Sequence, residues 1–255
     1  MPDPKVDSYM NAVVDTFTIG KHHVHDALAA IAAQRKILAM RAADAQPYQL
    51  LALRRYLRTG GAKLIVNWPW TVAEQKTTYS KVIESLLDAA RITKAAFEKA
   101  NPGFTLGYTR ARDLDRQAYL WIDNDSVRVA SAGLWSDVRT ELAKAQYIPN
   151  PGSEGAERFA TFLAKSIVQP EPTNAAPGLS DHGQMKAVDF YVDKAGKRVA
   201  DIKKQLIGSQ WHATGFDKQV KLATQGTGLV GPLREPYEPW HYSIPYGVEP
   251  KAPSE

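Results

Sequence analysis

The sequence Asn-Pro-Gly at residues 101–103 is the strongest stop signal in the chain, and it separates two regions of different texture. Proline lacks a backbone donor and glycine favours turns, so a helix that reaches this point must end there. Before it, apolar residues such as Val82 and Leu86 recur at helical spacing. After it, short strand-like stretches alternate with helical ones. The pattern predicts a helical region over residues 1–100 and a mixed domain over residues 101–255. The alternative is that the long helix before residue 101 packs on the part that follows it.

The expected strands are short, and the expected helices surround them. Candidate helices cover residues 26–43 (with Asp26 as the cap), 47–58, 71–100 (opened by a capping box at 71–74), 113–122, 136–146, 154–167 and 199–214. Candidate strands cover residues 104–108 and 186–192, and residues 63–70 form either a strand or a packed loop. We therefore expect an α+β fold, with a small antiparallel sheet flanked by helices and a helical N-terminal region.

The absence of cysteine excludes several kinds of site at once. None of the 255 residues is Cys, so the chain has no disulfide framework, no thiolate metal site and no Cys nucleophile. Any bound metal must therefore be held by histidines and carboxylates. We also find no phosphate-binding glycine loop, no Gly-x-Ser-x-Gly elbow and no His-Glu-x-x-His helix.

Charge and hydropathy narrow the expected partners. The net charge is +5, but the sequence has no dense basic run of the kind that polyanion binders carry, so nucleic acid is not a predicted partner. No stretch approaches the roughly 18 apolar residues that a transmembrane helix needs. The start, Met-Pro-Asp-Pro-Lys, does not resemble a secretory signal peptide.

Two separated segments carry the residue types of a catalytic metal centre. His182 lies in a Gly-containing loop, and Asp189 follows seven residues later within a predicted strand. Near the C-terminus, Glu238 and His241 are three residues apart, with Pro239 favouring a turn. Two imidazoles and one carboxylate leave the fourth position of a zinc ion open to water. A second carboxylate nearby can accept the proton of that water.

These segments resemble the zinc D-alanyl-D-alanine peptidases of bacterial cell walls, the VanY and VanX type, and the phage L-alanyl-D-glutamate endopeptidases. That family carries Ser-x-His-x-x-Gly-x-Ala-x-Asp, followed by Glu-x-Trp-His. The matching positions are Ser180, His182, Ala187, Asp189, Glu238, Trp240 and His241. Met185 departs from the pattern, because the family usually has glycine there.

A third motif of the family, Gly-Tyr-Arg-Ser-x-x-x-Gln, has a looser counterpart upstream. Counting back from Gln117 places the family arginine at Arg112, whereas counting forward from the Gly-Tyr pair at 107–108 favours Arg110. We prefer Arg112. The resemblance covers residues 104–245, with a long insertion at 122–176.

The resemblance implies a role for each matched polar residue. His182, Asp189 and His241 would bind one Zn²⁺ per chain on the small sheet. Glu238 would be the general base that deprotonates the zinc-bound water and protonates the leaving amine. Arg112 would be catalytic and substrate-binding, offsetting charge on the carbonyl oxygen, and Ser180 would bind and orient the substrate.

The implied function is a zinc metallopeptidase that hydrolyses an amide bond in peptidoglycan stem peptides or cross-links, as a D,D-carboxypeptidase or an endopeptidase. The alternative is a non-catalytic zinc-containing protein of the same fold that binds the cell wall or a partner. Such an enzyme would act in the periplasm or cell wall. It would be exported by a non-Sec route, released by lysis as an endolysin, injected as a toxin with a delivery or immunity partner, or made with a signal that has been removed.

The remaining histidines and tryptophans have structural explanations. The cluster His22, His23 and His25 lies at an expected helix start without an evident fourth ligand, so we predict no specific metal there. His212 is expected to be a half-buried helix residue. Trp240 is expected to pack beside His241, and the pair at 68 and 70 is expected to pack in a core rather than stack on sugars.

Overall fold

The structure is a computed structural model, and it describes residues 2–18, 20–37, 45–59, 72–109, 112–183 and 185–245. In chain order the elements are α1 (Pro4–Asp15), α2 (Lys21–Ile37), α3 (Ala45–Arg58), α4 (Val72–Ala100), β1 (Phe104–Tyr108), α5 (Leu114–Ile122), α6 (Asp125–Leu142), α7 (Ser153–Lys165), β2 (Ala187–Lys194), β3 (Lys197–Ala200), a 3₁₀ turn (Lys204–Leu206), a π-helical turn (Ile207–His212), α8 (Phe216–Ala223) and β4 (His241–Ser243). The α+β fold with a small antiparallel sheet, predicted from the sequence, is confirmed.

The chain forms two compact units, each built from two segments. Unit 1 comprises Met1–Thr71 and Arg112–Gln184, and unit 2 comprises Val72–Ala111 and Met185–Glu255. The ranges 1–100 and 101–255 of the sequence-based division are therefore each shared between the units. Helix α4 belongs with the sheet, because it packs against β1 and α8.

Unit 1 is a helical bundle around α3. This helix packs against α1, α2, α6 and α7 and is buried on most sides. Its side chains Leu50, Leu53 and Tyr56 are therefore fully buried in the core of the bundle. Trp121 of α5 is also fully buried, and its indole N–H donates to the Tyr48 carbonyl at 3.2 Å. The core thus satisfies a polar group as it buries the ring.

Side chains cap the N-termini of several helices, but the cap that the sequence predicts for α2 does not form. Asp113, the first residue of the predicted 113–122 helix, caps α5 by accepting the Arg116 N–H at 2.7 Å. The prediction that Asp26 caps α2 is wrong: the helix begins at Lys21. It extends this far because Val24 is buried on the same face as the core residues that follow.

Unit 2 is built around strand β2. Its second half pairs antiparallel with β1 and β3, and its first half pairs antiparallel with β4. The buried face of the sheet contributes Phe190 and Val192, and the covering helices contribute Phe97 and Trp211. None of the described helices combines the length and apolarity needed to cross a membrane.

The predicted helix over 199–214 is wrong in its first part. Ala195 and Gly196 both have positive φ values, of 47° and 75°, so the chain turns back tightly and Lys197–Ala200 pairs with β2. Such left-handed pairs match the twist of a hairpin. The structure also adds α8, which the sequence analysis did not predict, and α6 begins eleven residues earlier than the predicted 136. The segment 63–70, Thr71 of the capping box, the end of the predicted 26–43 helix, Trp68, Trp70 and Arg110 lie outside the described residues.

Candidate metal centre

The loop that carries His182 is held by hydrogen bonds in which its backbone both donates and accepts. The Tyr56 hydroxyl donates to the Pro177 carbonyl at 2.8 Å, and the Gly178 N–H donates to Oε1 of Gln117 at 3.3 Å. The Ser180 hydroxyl oxygen accepts the Gly183 N–H at 3.1 Å. This contact closes a tight turn around His182, which is itself buried.

Two backbone positions in this loop have strict spatial requirements. A Cβ added at Gly183 would lie 2.3 Å from Oε1 of Gln117 and 2.9 Å from the Gly178 nitrogen, so no side chain fits without movement. Met185 is buried and has φ +53°, in the left-handed region that favours glycine. This is the position at which the resembled family has glycine, and an L-residue there costs about 1–2 kcal/mol.

Asp189 and His241 are direct cross-strand neighbours of β2 and β4. Both are buried, and Nδ1 of His241 lies 3.1 Å from Oδ1 of Asp189. The backbone of Asp189 is tied to Thr109, whose hydroxyl accepts its N–H at 3.0 Å and whose N–H donates to its carbonyl at 2.9 Å. The register of the sheet therefore sets the separation of these two side chains.

His182, Asp189 and His241 together form a buried group that could hold a metal ion. Each offers one ligand atom, and these atoms all lie within 4.8 Å of one another. Two ligands bound tetrahedrally at about 2.0–2.2 Å from one ion are separated by about 3.4 Å, and the 3.1 Å between His241 and Asp189 is close to this value. The mixed nitrogen and oxygen donors suit zinc and related divalent ions.

Within the described part of the chain, no second group of this kind is found. His22, His23 and His25 lie in the first turns of α2 and do not form one. His212 is half exposed, and its Nδ1 lies 2.9 Å from Oδ2 of Asp217. Its ring stacks on Tyr237 at a centroid distance of 5.5 Å, a contact that the sequence analysis missed.

Glu238 is held just before His241 by a turn. The His241 N–H donates to the Glu238 carbonyl at 3.1 Å, and the Glu238 N–H donates to the Leu233 carbonyl at 3.0 Å. Its side chain is 21% exposed, and the carboxylate lies 3.4 Å from Nζ of Lys204, whose side chain is 63% exposed. Such an exposed ion pair contributes only about 0–1 kcal/mol, so it restrains the carboxylate weakly. Glu235, which lies three residues earlier in the sequence, is exposed.

Trp240 and Arg112 are the remaining predicted residues near the metal-binding motifs. Trp240 is buried and packs beside Trp211 at a centroid distance of 6.0 Å, which agrees with its predicted packing role. Arg112 is partly buried and precedes the α5 cap Asp113. The catalytic and substrate-binding role of Arg112 and the substrate-binding role of Ser180 stay predictions.

Comparisons with protein-family models, with curated proteins and with solved structures find nothing that matches this chain. The resemblance to the zinc peptidases therefore rests on the motif residues alone. The strongest structural observation is the group of His182, Asp189 and His241, since His241 is distant in sequence from the other two.

Proposed function

We propose that this chain is a zinc-dependent peptidase that hydrolyses an amide bond in bacterial peptidoglycan peptides. The observation that carries the proposal is the buried group of His182, Asp189 and His241. Three protein ligands are what a catalytic zinc site provides, since the ion then keeps a position for water or substrate. The donor set and its spacing support this metal, and the motif resemblance supports the substrate class.

The proposed roles of the site residues follow from how deeply each side chain is buried. When bound, the zinc ion would supply Lewis-acid polarisation of the scissile carbonyl and a more acidic water. The buried His182, Asp189 and His241 would hold it. Glu238 is partly exposed and lies one turn from His241, so its carboxylate would accept a proton from water and deliver it to the leaving amine. Displacement of the weakly paired Lys204 would free that carboxylate when substrate binds.

The resemblance also supplies the proposed substrate contacts. Arg112 would face the carbonyl oxygen of the scissile bond and stabilise the charge that develops there. Ser180 would help to orient the peptide, although its hydroxyl oxygen already accepts the Gly183 N–H. The proposed place of action is the periplasm or cell wall, where peptidoglycan lies.

The alternative proposal is a non-catalytic metal protein of the same fold that binds the wall or a partner. Two observations agree with this alternative. Lys204 pairs with the proposed base Glu238, and the Ser180 hydroxyl is engaged within its own loop. In this alternative the ion would stabilise the fold, and no bond would be cleaved.

Metal analysis combined with muropeptide digestion tests both proposals. We expect about one zinc per chain in the purified protein, and wild-type digestion that removes an alanine (carboxypeptidase) or cleaves dimers (endopeptidase) in mass spectra. Glu238→Gln should abolish cleavage and keep the zinc content, whereas the matched control Glu235→Gln should keep both. Wild-type cleavage by Glu238→Gln would refute the mechanism. Bound zinc with no cleavage of any muropeptide would favour the non-catalytic alternative, and absence of zinc would refute both.

A further inference from the structure

An open cavity of about 380 Å³ lies in unit 1, where α7 ends. Its walls come from Arg54 and Arg58 of α3 and from the chain that leaves α7, including Lys165, Ser166 and Ile167. The volume falls within the range of about 300–1,000 Å³ that is typical of small-molecule sites. None of these residues has a part in the proposed metal chemistry.

Arg54, one of the residues that line the cavity, has an unsatisfied donor. The residue is only 2% exposed, and its Nε and Nη2 donate to the Ser166 carbonyl at 2.8 and 2.6 Å. Its Nη1 is buried and has no hydrogen-bond partner among the described residues. Leaving a charged donor buried and unsatisfied is unfavourable, so an acceptor that enters the cavity would be stabilised there.

The charge around the cavity is positive. Arg58 and Lys165 are exposed and form no ion pair with any described residue. Glu171 also lines the cavity, but its carboxylate is paired with Arg55 at 2.7 Å. The carbonyl groups at the end of α7 favour a cation, and Arg54 fills that role at Ser166. The positive charges of Arg58 and Lys165 therefore remain uncompensated at the cavity.

Burial and the repulsion from Arg58 both disfavour the positive charge on the Arg54 guanidinium. Desolvation, together with the charge of Arg58, lowers the pKa of the Arg54 guanidinium. An anion placed among these cations would relieve both effects. The cavity also has an apolar edge, because Ile167 beside it is 81% exposed.

We propose that this cavity binds an oxyanion, a phosphate or carboxylate group, on a small molecule that also has an apolar part. The oxyanion accepts hydrogen bonds from the N–H groups on Nη1 of Arg54. Arg58 and Lys165 contact it from the rim, and Ile167 contacts the apolar part. This site is independent of the proposed peptidase activity.

Titration of the full chain with phenyl phosphate and with benzoate tests the proposal by calorimetry. Saturable binding of either probe with a Kd of roughly 0.1–5 mM is expected, and the tighter probe identifies the oxyanion that the cavity prefers. Inorganic phosphate should bind more weakly than phenyl phosphate, because it has no apolar part to contact Ile167. Binding should also weaken as salt is raised from about 0.05 to 0.5 M, because two of the cations are exposed.

Substitutions of the cations that line the cavity test whether the probe binds there. Arg58→Gln and Lys165→Gln each remove a rim cation and should raise the Kd about threefold to tenfold, since contacts of exposed charges are weaker than buried ones. Arg128→Gln removes an exposed arginine of α6 that does not line the cavity and should leave the Kd unchanged. Arg54 is unsuitable as a first variant because it also holds the Ser166 carbonyl. No saturable binding of either probe, or binding that both rim variants leave unchanged, would overturn the proposal.

Discussion

Replacing Gly183 with alanine should disturb the loop that carries His182. The added Cβ would lie 2.3 Å from Oε1 of Gln117, about 1 Å closer than ordinary van der Waals contact allows. The Gln117 amide would have to move, and its hydrogen bond from the Gly178 N–H would be lost. The second clash, 2.9 Å from the Gly178 nitrogen, involves backbone and cannot be relieved by a side-chain rotation.

The expected cost follows from these contacts. Overpacking in a well-packed region costs about 1–3 kcal/mol, and the lost hydrogen bond adds about 0.5–1.5 kcal/mol. We therefore expect Gly183→Ala to lower the free energy of unfolding by about 2–4 kcal/mol. The neighbouring His182 would be displaced by the same shift, so zinc affinity should fall together with stability. Denaturant titration of the metal-free protein measures the first effect, and competition with a chromogenic chelator measures the second.

Two further variants separate the clash from the general cost of losing glycine. Gly133 lies within α6, and a Cβ added there meets nothing within 4 Å, so Gly133→Ala should stabilise the protein by about 0.5–1 kcal/mol. Adding Gln117→Ala to Gly183→Ala removes the closer clash and should recover part of the loss, which would appear as a coupling between the two sites. If Gly183→Ala leaves both stability and zinc affinity at wild-type values, the close approach of Gly183 to Gln117 and Gly178 does not constrain the loop.

Three other perturbations have defined outcomes. Tyr56→Phe leaves the Pro177 carbonyl without its buried donor and should cost about 1–3 kcal/mol in denaturant titration, and an unchanged midpoint would contradict this contact. Burial, followed by the hydrogen bond and charge of Glu141, raises the pKa of Tyr147 to about 12. The folded state then holds this proton more tightly than the unfolded chain, whose tyrosine pKa is about 10, so stability should be intact below about pH 10 and fall between about pH 10 and 12. Tyr147→Phe should make that fall in stability less steep. A chelator should lower the Tm of the zinc-loaded wild type and have little effect on Asp189→Asn, whereas equal shifts in both proteins would show that the ion is bound elsewhere.

Local sequence signals predicted the elements whose ends depend on neighbouring residues. The stop at residues 101–103 ends α4 at Ala100, and the predicted 113–122 helix forms as α5 after its cap Asp113, because capping and turn formation need only a few residues in sequence. The β2 strand was also predicted, because its run of apolar and β-branched residues is a signal contained within a few neighbouring positions. The identities of His182, Asp189 and His241 as candidate ligands also came from local motifs.

Elements that depend on distant partners were predicted poorly. Residues 199 and 200 fit a helical pattern, yet they form a strand because the turn at Ala195 and Gly196 delivers them to the edge of β2. In the same way, Asp26 has the chemistry of a cap but lies inside α2, since the buried Val24 draws the helix start back to Lys21. Propensity is a weak signal that tertiary packing overrides.

The amino-acid sequence by itself determined which donor atoms are available to a metal, because the chain contains no cysteine and only six histidines. It also determined the class of the fold through the periodicity of its apolar residues. Only the tertiary structure decided that Asp189 and His241, 52 residues apart, become cross-strand neighbours, and that His182 joins them. Sheet register is set by long-range pairing and by the burial of one face, and no short segment encodes that pairing.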